Sequence, residues 1–468
     1  MKTTLLFSAL IITTLLCQGQ WDTTYLSEAK LQMGGVGLGT KAYFAGGIVY
    51  PDEITTNKVE IYDVPTGEWQ IKYLWDARRL PTGAVCGSKV FFAGGMAMNA
   101  SYCFSTVDIF DTLTQEWTVK GLSVPRFAIS AESKDSIVLF AGGANVGLNE
   151  IYDVVDIYNT NTGAWTTADL SVPRSAMGST VVGDLAIFAG GYDNYSWLDQ
   201  VDIYNFTTGT WDTTTISQAR GFIGATTVGN KALFAGGMTE QGVPSDLVDI
   251  YDYENDTWTT ANLSVARGFI DQHDATIDGK AYFVGGGTFD NGYWITDSDV
   301  IDIYDEANDE WDTMTMTNAL TFHSVVAVGA SLLIAGGFTI VDYPYGWIHS
   351  QVEIYTDPDV GVPETVGSRQ SAVGSYPNPF SNFTTLEYDL EQSANVNLSI
   401  YNHLGQWVVV LADEVQAAGR HQVQWNAVGL PSGIYYYRLT ILQASPSGQA
   451  NDYRLTTTGK LVKYMVAR

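Results

Sequence analysis

Apolar and polar positions alternate in a short phrase that recurs along most of the chain. Its seven copies are VEIYD (59–63), VDIFD (107–111), VDIYN (155–159), VDIYN (201–205), VDIYD (248–252), IDIYD (301–305) and VEIYT (352–356). A period of two sends successive side chains to opposite faces of a β-strand, so each phrase predicts a half-buried strand.

Each phrase sits in a longer repeat. A Gly-Gly pair precedes it, at 46–47, 94–95, 142–143, 190–191, 236–237, 285–286 and 336–337. In the first six repeats a tryptophan follows the aromatic of the phrase after seven residues, at Trp69, Trp117, Trp165, Trp211, Trp258 and Trp311. Nine residues further stand Arg78, Arg126, Arg174, Arg220, Arg267 and, in the last case, Leu320.

Each repeat predicts four short strands: one after the basic residue, one ending in the Gly pair, the alternating phrase, and one starting at the tryptophan. The turn between the last two carries Gly67, Gly163, Gly209, Asp256 and Asp309, residue types that accept positive φ. Four short strands repeated several times at this length are typical of a β-propeller blade.

The seventh repeat never supplies its tryptophan strand, but the start of the chain does. Trp21 lies 48 residues before Trp69, and Lys30 lies 48 before Arg78. We therefore expect an all-β fold in which residues 21–356 form a seven-bladed propeller. Its N-terminal strand pairs beside VEIYT and closes the ring, which removes the exposed sheet edges of a broken disc.

The succession of Gly-Gly, Tyr, Trp and Arg over residues 21–356 resembles the kelch family of β-propellers. That resemblance implies a rigid binding domain. In such domains, arginines from this part of the blade help to form the peptide-binding face. Some kelch propellers are copper-radical oxidases, so the resemblance also leaves an enzyme open.

The end of the chain has a different pattern. Residues 357–375 are rich in Pro, Gly and Ser and read as a linker, and 376–468 contain strand-like runs that predict a small β-sandwich. YPNPF (376–380), LSIYNHLGQ (398–406), LPSGIYYYRL (430–439) and the final TGKLVKYMVAR resemble the C-terminal sorting domain of the type IX secretion system of Bacteroidota. The resemblance implies contact with that machinery, export, removal of the tail, and release or attachment at the cell surface.

Charge and hydropathy agree with an exported protein. Residues 1–20 combine Lys2 with an apolar run from Leu5 to Leu16, which predicts a secretory signal peptide. A net charge of −28 disfavours nucleic acid and anionic lipid as partners. No later segment is apolar enough to predict a transmembrane helix. Cys86 and Cys103 fall at opposite ends of predicted strands, so we expect two free thiols.

The basic residues in one register are candidate ligand-binding groups: Lys30, Arg78, Arg126, Arg174, Arg220 and Arg267. Around a channel mouth they would form a ring that recognises carboxylate-bearing glycans or acidic peptides. Alternatively, each pairs with one of the repeated carboxylates and holds the blades together. Residues repeated in every blade more often serve structure, because chemistry needs an asymmetric set.

Long loops between the second and third strands carry aromatic residues that suit a binding face. The candidates are Tyr195, Trp197, Tyr293, Trp294, Tyr345 and Trp347. Exposed aromatics in long loops favour contact with sugar rings or partner side chains. Packing on the blade tops is the alternative for about half of them.

Blade six breaks the pattern with Asp271 and His273 on its inner strand, and His323 follows in blade seven. These polar inner strands are the basis for the alternative function, a carbohydrate-active enzyme such as an oxidase or a sugar epimerase. The chain has no complete calcium loop, P-loop or zincin motif. We therefore assign no catalytic residue, metal or cofactor, and expect a secreted or cell-surface module that binds a protein or glycan.

Overall fold

The computed structural model describes residues 20–98, 102–270, 275–290, 293–342, 345–357, 374–378, 380–390, 393–402, 407–431, 433–443 and 453–463. The chain divides into two compact units, Met1–Val362 and Pro363–Arg468. The predicted signal peptide, apart from Gln20, and most of the predicted linker lie outside the described residues.

Within its described residues, the first unit contains seven four-stranded antiparallel sheets, here called blades 1–7. The inner strands are Gly34–Leu38, Thr82–Cys86, Ser130–Lys134, Gly178–Val182, Gly224–Val228, Thr276–Ile277 and Ser324–Val328. The second strands are Lys41–Ala45, Lys89–Ala93, Ile137–Ala141, Leu185–Ala189, Lys231–Ala235, Lys280–Val284 and Ser331–Ala335.

The third and outer strands complete each blade. The third strands are Lys58–Asp63, Thr106–Asp111, Val154–Asn159, Gln200–Asn205, Leu247–Asp252, Val300–Asp305 and Gln351–Thr356. The outer strands are Glu68–Tyr73, Glu116–Gly121, Trp165–Asp169, Thr210–Thr215, Thr257–Asn262, Glu310–Thr315 and, for blade 7, Gln20–Tyr25. The alternating phrases are thus third strands, as their period predicts.

The outer strand of blade 7 comes from the start of the chain. Gln20–Tyr25 pairs antiparallel with Gln351–Thr356, with Trp21 opposite Tyr355, and the two rings lie 5.3 Å apart. This pairing joins the two ends of the propeller sequence in one sheet. It is the arrangement that the 48-residue spacing predicts.

Aromatic pairs pack the blades. The tryptophan at the first or second position of each outer strand contacts the aromatic of the neighbouring third strand, as Trp69 does with Tyr62 at a centroid distance of 4.9 Å. Such pairs stabilise the blade beyond the area that they bury, by about 0.5–1.5 kcal/mol each. The second strands are almost fully buried, and Phe44, Phe92 and Phe140 have no exposed surface.

The Gly-Gly pairs connect neighbouring blades. Gly46 and Gly47 have φ of 67° and 105°, and a Cβ on Gly46 would lie 2.4 Å from the backbone oxygen of Arg78. The Gly47 N–H instead donates to that oxygen at 2.9 Å. Equivalent bonds link each blade to the next, including Gly337 of blade 7 to Lys30 of blade 1. A Cβ would therefore clash with the neighbouring blade at these positions.

The connections between blade strands contain further short strands and one helical turn. The strands are Ala29–Leu31, Ile48–Tyr50, Ile54–Thr55, Ala144–Asn145, Glu150–Ile151, Gly287–Asp290, Tyr293–Asp297, Phe338–Asp342 and Tyr345–Ile348, and Glu240–Gly242 form a 3-10 turn. All lie between the outer and inner strands of successive blades or between second and third strands. Those two kinds of connection share one end of the blades, here called the loop face; the opposite end is the turn face.

The second unit has two antiparallel sheets around one apolar core. The first sheet is formed by Gly374–Tyr376, Phe383–Leu390 and Gly419–Asn426. The second is formed by Ala394–Asn402, Trp407–Gln416, Gly433–Gln443 and Tyr453–Lys463. Leu386 and Trp425 of the first sheet share a core with Val396 and Leu398 of the second.

Candidate functional site

The six basic residues of the repeat are buried, each in an ion pair. Lys30, Arg78, Arg126, Arg174, Arg220 and Arg267 all have 0% exposed surface. Their partners are Glu60, Asp108, Asp156, Asp202, Asp249 and Asp302, at N–O distances of 2.5–2.8 Å. A side chain with no exposed surface offers nothing to a ligand on the loop face. The six side chains thus form buried pairs with the repeated carboxylates, the second of the two arrangements that the sequence leaves open.

Each arginine also donates to backbone oxygens of its own blade. Arg174 donates through Nε to Gly190 O at 3.0 Å and through Nη2 to Phe188 O at 3.2 Å. Its backbone oxygen accepts from Gly143 of the preceding blade. One residue therefore joins two blades. Burial lowers the pKa of the Arg174 guanidinium, and the adjacent Asp202 carboxylate opposes that shift.

The carboxylate of each pair has a second role. Its other oxygen accepts the backbone N–H of the residue three positions before the basic one, as Asp202 Oδ1 does from Ser171 at 3.0 Å. The same bond recurs in all seven blades, from Ser27 N–H to Glu60 and from Thr317 N–H to Glu353 at the two ends of the repeat. The carboxylate thus fixes the segment that crosses from one blade to the next.

Blade 7 keeps the carboxylate without the arginine. Leu320 occupies the basic position and is 3% exposed, while Glu353 is 2% exposed. Asn318 donates to Glu353 Oε1 at 3.3 Å, in addition to the Thr317 N–H on Oε2. Neutral donors therefore replace the ion pair in this blade.

The two ends of the propeller differ in exposed apolar surface. Among the described residues, the loop face carries ten exposed large apolar side chains: Tyr50, Ile54, Trp75, Tyr102, Val146, Leu148, Tyr195, Val243, Val265 and Trp347. In that class the turn face carries Leu113 alone among the described turn residues, while Trp21, Tyr25, Ile71, Tyr73 and Val119 lie on outer strands. Exposed large apolar side chains are thus more numerous on the loop face than on the turn face.

The aromatic candidates divide into three groups. Tyr195 and Trp347 are exposed, at 91% and 62%. Trp197 is half-buried and packs between Tyr192 and Phe222, at centroid distances of 4.9 and 5.8 Å. Tyr293, Trp294 and Tyr345 lie in loop strands whose side chains are outside the described part of the structure.

A ring of left-handed residues surrounds the channel mouth on the loop face. The residue two positions after each basic one has φ between 51° and 58°, namely Gln32, Leu80, Ala128, Ala176, Phe222, Phe269 and Phe322. Backbone bonds link neighbours in this ring, such as Phe222 N–H to Ala176 O at 2.9 Å. Large non-glycine residues rarely adopt this conformation, and here it recurs at the same position of every blade.

Three of these residues form an aromatic wall with Trp197. Phe222 and Phe269 stack at a centroid distance of 4.1 Å, and Phe322 meets Phe269 edge-on at 5.5 Å. The wall lines one side of a cavity of about 190 Å³, with Leu80, Ala128 and Gln32 on the other side. The repeat thus places a flat apolar surface on half of the mouth.

Behind the mouth lies a wider channel cavity of about 520 Å³. Inner strands of all seven blades line it, mostly with Gly, Ala, Val and Thr. Its one charged lining residue in the described part of the chain is Glu132 of blade 3, which accepts from Ser179 Oγ at 2.6 Å. Ser179 also lines the mouth, so it joins the two cavities.

The structure describes only part of the polar group formed by Asp271, His273 and His323. Asp271 and His273 lie outside the described residues. His323 is 6% exposed and lines the mouth cavity beside Phe322. No group of three or more His, Cys, Asp or Glu side chains suited to a metal occurs among the residues that the structure describes.

The mouth residues are what the sequence interpretation missed. The available signal was the position two residues after the basic one. In blades 5–7 this position holds the phenylalanine of RGF, RGF and LTF, whereas in blades 1–4 it holds smaller or polar residues. The repeat marks this position clearly. Its left-handed backbone, which turns the side chain toward the mouth, is not visible in a pattern of apolar and polar residues.

Comparisons with known proteins follow this division of the chain. Residues 131–337 match the KLHDC2/KLHL20/DRC7 Kelch-repeats domain. Residues 375–447 match the secretion system C-terminal sorting domain. The chain thus combines kelch repeats with a type IX sorting domain, as the motifs predict, and this combination supports an exported binding module outside the cell or on its surface.

One solved structure, "Structure of YjhT", is 14% identical, with a TM-score of 0.46. The match covers 60% of this chain and 97% of that one. No curated protein matches the chain.

Two further expectations concern the cysteines and the membrane. Cys86 and Cys103 are buried free thiols, as predicted. Burial raises the pKa of both. In the described part of the chain, no helix has the length and hydropathy to span a membrane.

Proposed function

We propose that the propeller is an extracellular binding module whose ligand, a protein or a glycan, docks on the loop face. The observation that carries this proposal is the asymmetry of the two faces: ten exposed large apolar side chains on one, and Leu113 on the other, among described residues. The loop face also holds the mouth cavity with its strained aromatic wall. Rigid blades with variable loops suit recognition.

The ligand of this face is neutral or cationic. The repeated basic residues are buried in pairs with carboxylates, so they add no exposed positive charge. Lys58, at the base of the loop face, is paired with Glu28 at 2.6 Å. The chain as a whole carries a net charge of −28, which repels anions at low ionic strength. Carboxylate-bearing glycans and acidic peptides are therefore poor candidates.

Binding is tested with purified protein on arrays of neutral, cationic and anionic glycans and peptides. A specific ligand should lose affinity when Tyr195 and Trp347 are both changed to Ala. The matched control is Leu113→Ala, which removes an exposed apolar side chain from the turn face. A ligand that is sensitive to Leu113→Ala and indifferent to the loop-face variant would place the site on the wrong side.

The tail directs export in this proposal, with the sorting domain engaging the type IX machinery and then being removed. In a host that has this machinery, a chain without residues 376–468 should stay inside the cell. The full chain should appear outside it with a shorter C-terminus, measured by mass spectrometry of medium and surface fractions. Equal export of both forms would contradict this role of the tail.

A further inference from the structure

Two blades carry the same Lys-x-Tyr pair on the second strand, and in blade 6 this pair holds a carboxylate. Lys41 and Tyr43 of KAYFA in blade 1 stand at the positions of Lys280 and Tyr282 of KAYFV in blade 6. The Tyr282 hydroxyl donates to Asp357 Oδ2 at 2.6 Å, and Lys280 Nζ lies 3.2 Å from the same oxygen. Asp357 is 1% exposed, so the pair binds its carboxylate out of bulk water.

Asp357 reaches that pair from the neighbouring blade. It follows the third strand of blade 7, and its backbone N–H donates to Ala330 O. The equivalent residue of blade 2 is Thr112, whose N–H donates to Ser88 O in the same way. The Thr112 hydroxyl also donates to Ser88 O, at 2.9 Å, and so bonds within its own blade. Blade 2 therefore presents a hydroxyl, with no carboxylate, where blade 7 presents Asp357.

A cavity lies beside the pair of blade 1. It opens on the turn face between blades 1 and 2, has a volume of about 500 Å³, and is lined by Lys41, Tyr43 and Thr112 among others. Sites that enclose small molecules usually measure about 300–1,000 Å³. Among the described residues, the Tyr43 hydroxyl has no hydrogen-bond partner. A donor at the position of Tyr282 thus faces a space large enough for a ligand.

A large side chain fills the corresponding space between blades 4 and 5. Tyr253 is the equivalent of Thr112 there, and its ring lies 2.3 Å from the place that a Cβ on Gly183 would take. A Cβ on Gly39, the equivalent glycine of blade 1, would meet no atom within 4 Å. The cavity between blades 1 and 2 is therefore the space that a larger residue at position 112 would occupy.

We propose that this cavity binds a small organic carboxylate with an apolar body, whose carboxylate Lys41 and Tyr43 hold as their counterparts hold Asp357. The site lies on the turn face and is independent of the ligand proposed for the loop face. Burial and the nearby Asp63 carboxylate raise the pKa of Tyr43 to about 12, so its hydroxyl stays protonated and donates at neutral pH. Hydrogen bonds to an ionised acceptor are stronger than those between neutral groups.

The rest of the lining suits the apolar body of such a ligand. Leu38, Ile61 and Phe110 line the cavity together with polar groups that include the Gln70 amide. Leu113 also lines it and is 82% exposed. Contact with an apolar ligand would remove part of the Leu113 surface from water, which favours binding. A carboxylate without an apolar body gains none of this contribution.

Asp63 competes for the same ammonium group. Lys41 Nζ lies 2.9 Å from Asp63 Oδ2, and the Thr40 hydroxyl donates to Asp63 Oδ1 at 3.2 Å. An ammonium has three N–H donors, so Lys41 has donors for both carboxylates. The ligand nevertheless shares its cation with Asp63. Asp63→Asn should therefore strengthen binding of the carboxylate.

The test uses the full chain and three acids, phenylacetate, cyclohexylacetate and hexanoate, each beside its primary amide. Calorimetry at about 0.15 M salt limits the repulsion of anions by the net charge of −28. We expect saturable binding of at least one acid, with a Kd of about 1 mM or lower. Its amide should bind about tenfold more weakly, because it lacks the charge. Acetate should bind more weakly than that acid.

Four variants locate the site. Tyr43→Phe and Lys41→Met should each weaken the bound acid about tenfold. Thr112→Asp places a carboxylate in the register of Asp357, so it should abolish binding and raise the unfolding temperature. Tyr204→Phe is the matched control, because it removes a tyrosine hydroxyl from a blade that does not line the cavity. Thermal unfolding shows that each variant is folded.

The proposal is overturned if no acid binds saturably, if the amides bind as well as the acids, or if Thr112→Asp changes neither binding nor the unfolding temperature. These failures are distinct from failure of the proposed function. Changing Tyr195 and Trp347 together to Ala should leave carboxylate binding unchanged, since both lie on the loop face. Loss of carboxylate binding in that double variant would contradict a site on the turn face.

Discussion

Arg174 Nη2 lies 2.6 Å from Asp202 Oδ2, and neither side chain is more than 3% exposed. The pair is one of six that connect the second and third strands of a blade with the segment arriving from the previous blade. The basic residues of the repeat, which could have formed a ligand-binding ring, therefore hold neighbouring blades together inside the propeller. Their removal should affect stability before it affects binding.

We predict that Arg174→Met destabilises the propeller strongly. The substitution leaves Asp202 buried without its cation, a loss of about 3–5 kcal/mol. Chemical denaturation measures it. Lys41→Met, which breaks the solvent-exposed pair with Asp63, is the matched control and should cost about 0–1 kcal/mol. Equal costs for the two variants would contradict a structural role of the buried pair.

Neutralising the repeated carboxylate should lower the free energy of unfolding less in blade 7 than in the other blades. Asp202→Asn strands the buried Arg174, whereas Glu353→Gln faces Leu320 and the amide of Asn318. The difference in unfolding free energy should be about 2 kcal/mol or more, since an unpaired buried charge is the larger loss. Equal effects in the two blades would show that charge pairing contributes little to either.

The N-terminal strand is predicted to stabilise the entire disc. Deleting residues 21–29 removes the outer strand of blade 7 and exposes the edge at Gln351–Thr356. We expect a single cooperative unfolding transition at a clearly lower temperature in calorimetry. Trp21→Ala, which keeps the backbone pairing and loses only the contact with Tyr355, serves as the milder comparison. An unchanged transition after the deletion would make the strand dispensable.

Acid should weaken the loop-face segment around His349. Burial lowers the pKa of His349 below its ordinary value, although Glu353 and Asp297 oppose that shift. The unfolded chain therefore binds this proton more readily, so the contribution to stability is present above about pH 6.5 and is lost as the pH falls toward the lower folded value. His349→Gln should flatten this part of the stability profile, measured by urea denaturation between pH 5 and about pH 8.

The two propeller thiols should be inert in the folded protein. Cys86 and Cys103 are 5% and 6% exposed, and burial raises the pKa of each, which reduces the reactive thiolate. In protein without residues 1–20, a thiol reagent should label both only after denaturation. Fast labelling of either in native buffer would show local opening near that strand.

The repeat made most of the fold predictable. Gly, Trp and the V-D-I-Y phrase recur in one register, so strand order, turn positions and the partnership of Trp21 with the last repeat follow from spacing alone. Spacing gives the end of the blade at which Arg174 lies. Spacing does not give the direction of the Arg174 side chain. That side chain points into the blade because Asp202 and two backbone oxygens accept its hydrogen bonds there.

The mouth was harder to predict for a related reason. Phe222, Phe269 and Phe322 look like core residues in the sequence, since buried aromatics are common next to inner strands. Their positive φ comes from the crossing between blades and the hydrogen-bonded ring, which is a property of the assembled disc. A pattern within one repeat does not contain that information.

At the seven left-handed positions of the mouth, the backbone conformation is the same in every blade while the side chain differs. Backbone bonds and buried ion pairs hold the ring, so the side chains there vary from Gln and Leu through Ala to Phe at one common conformation. Each blade thus contributes one variable side chain to the rim of the channel mouth. Substitutions at these seven positions offer a route to new ligand preferences while the backbone framework stays unchanged.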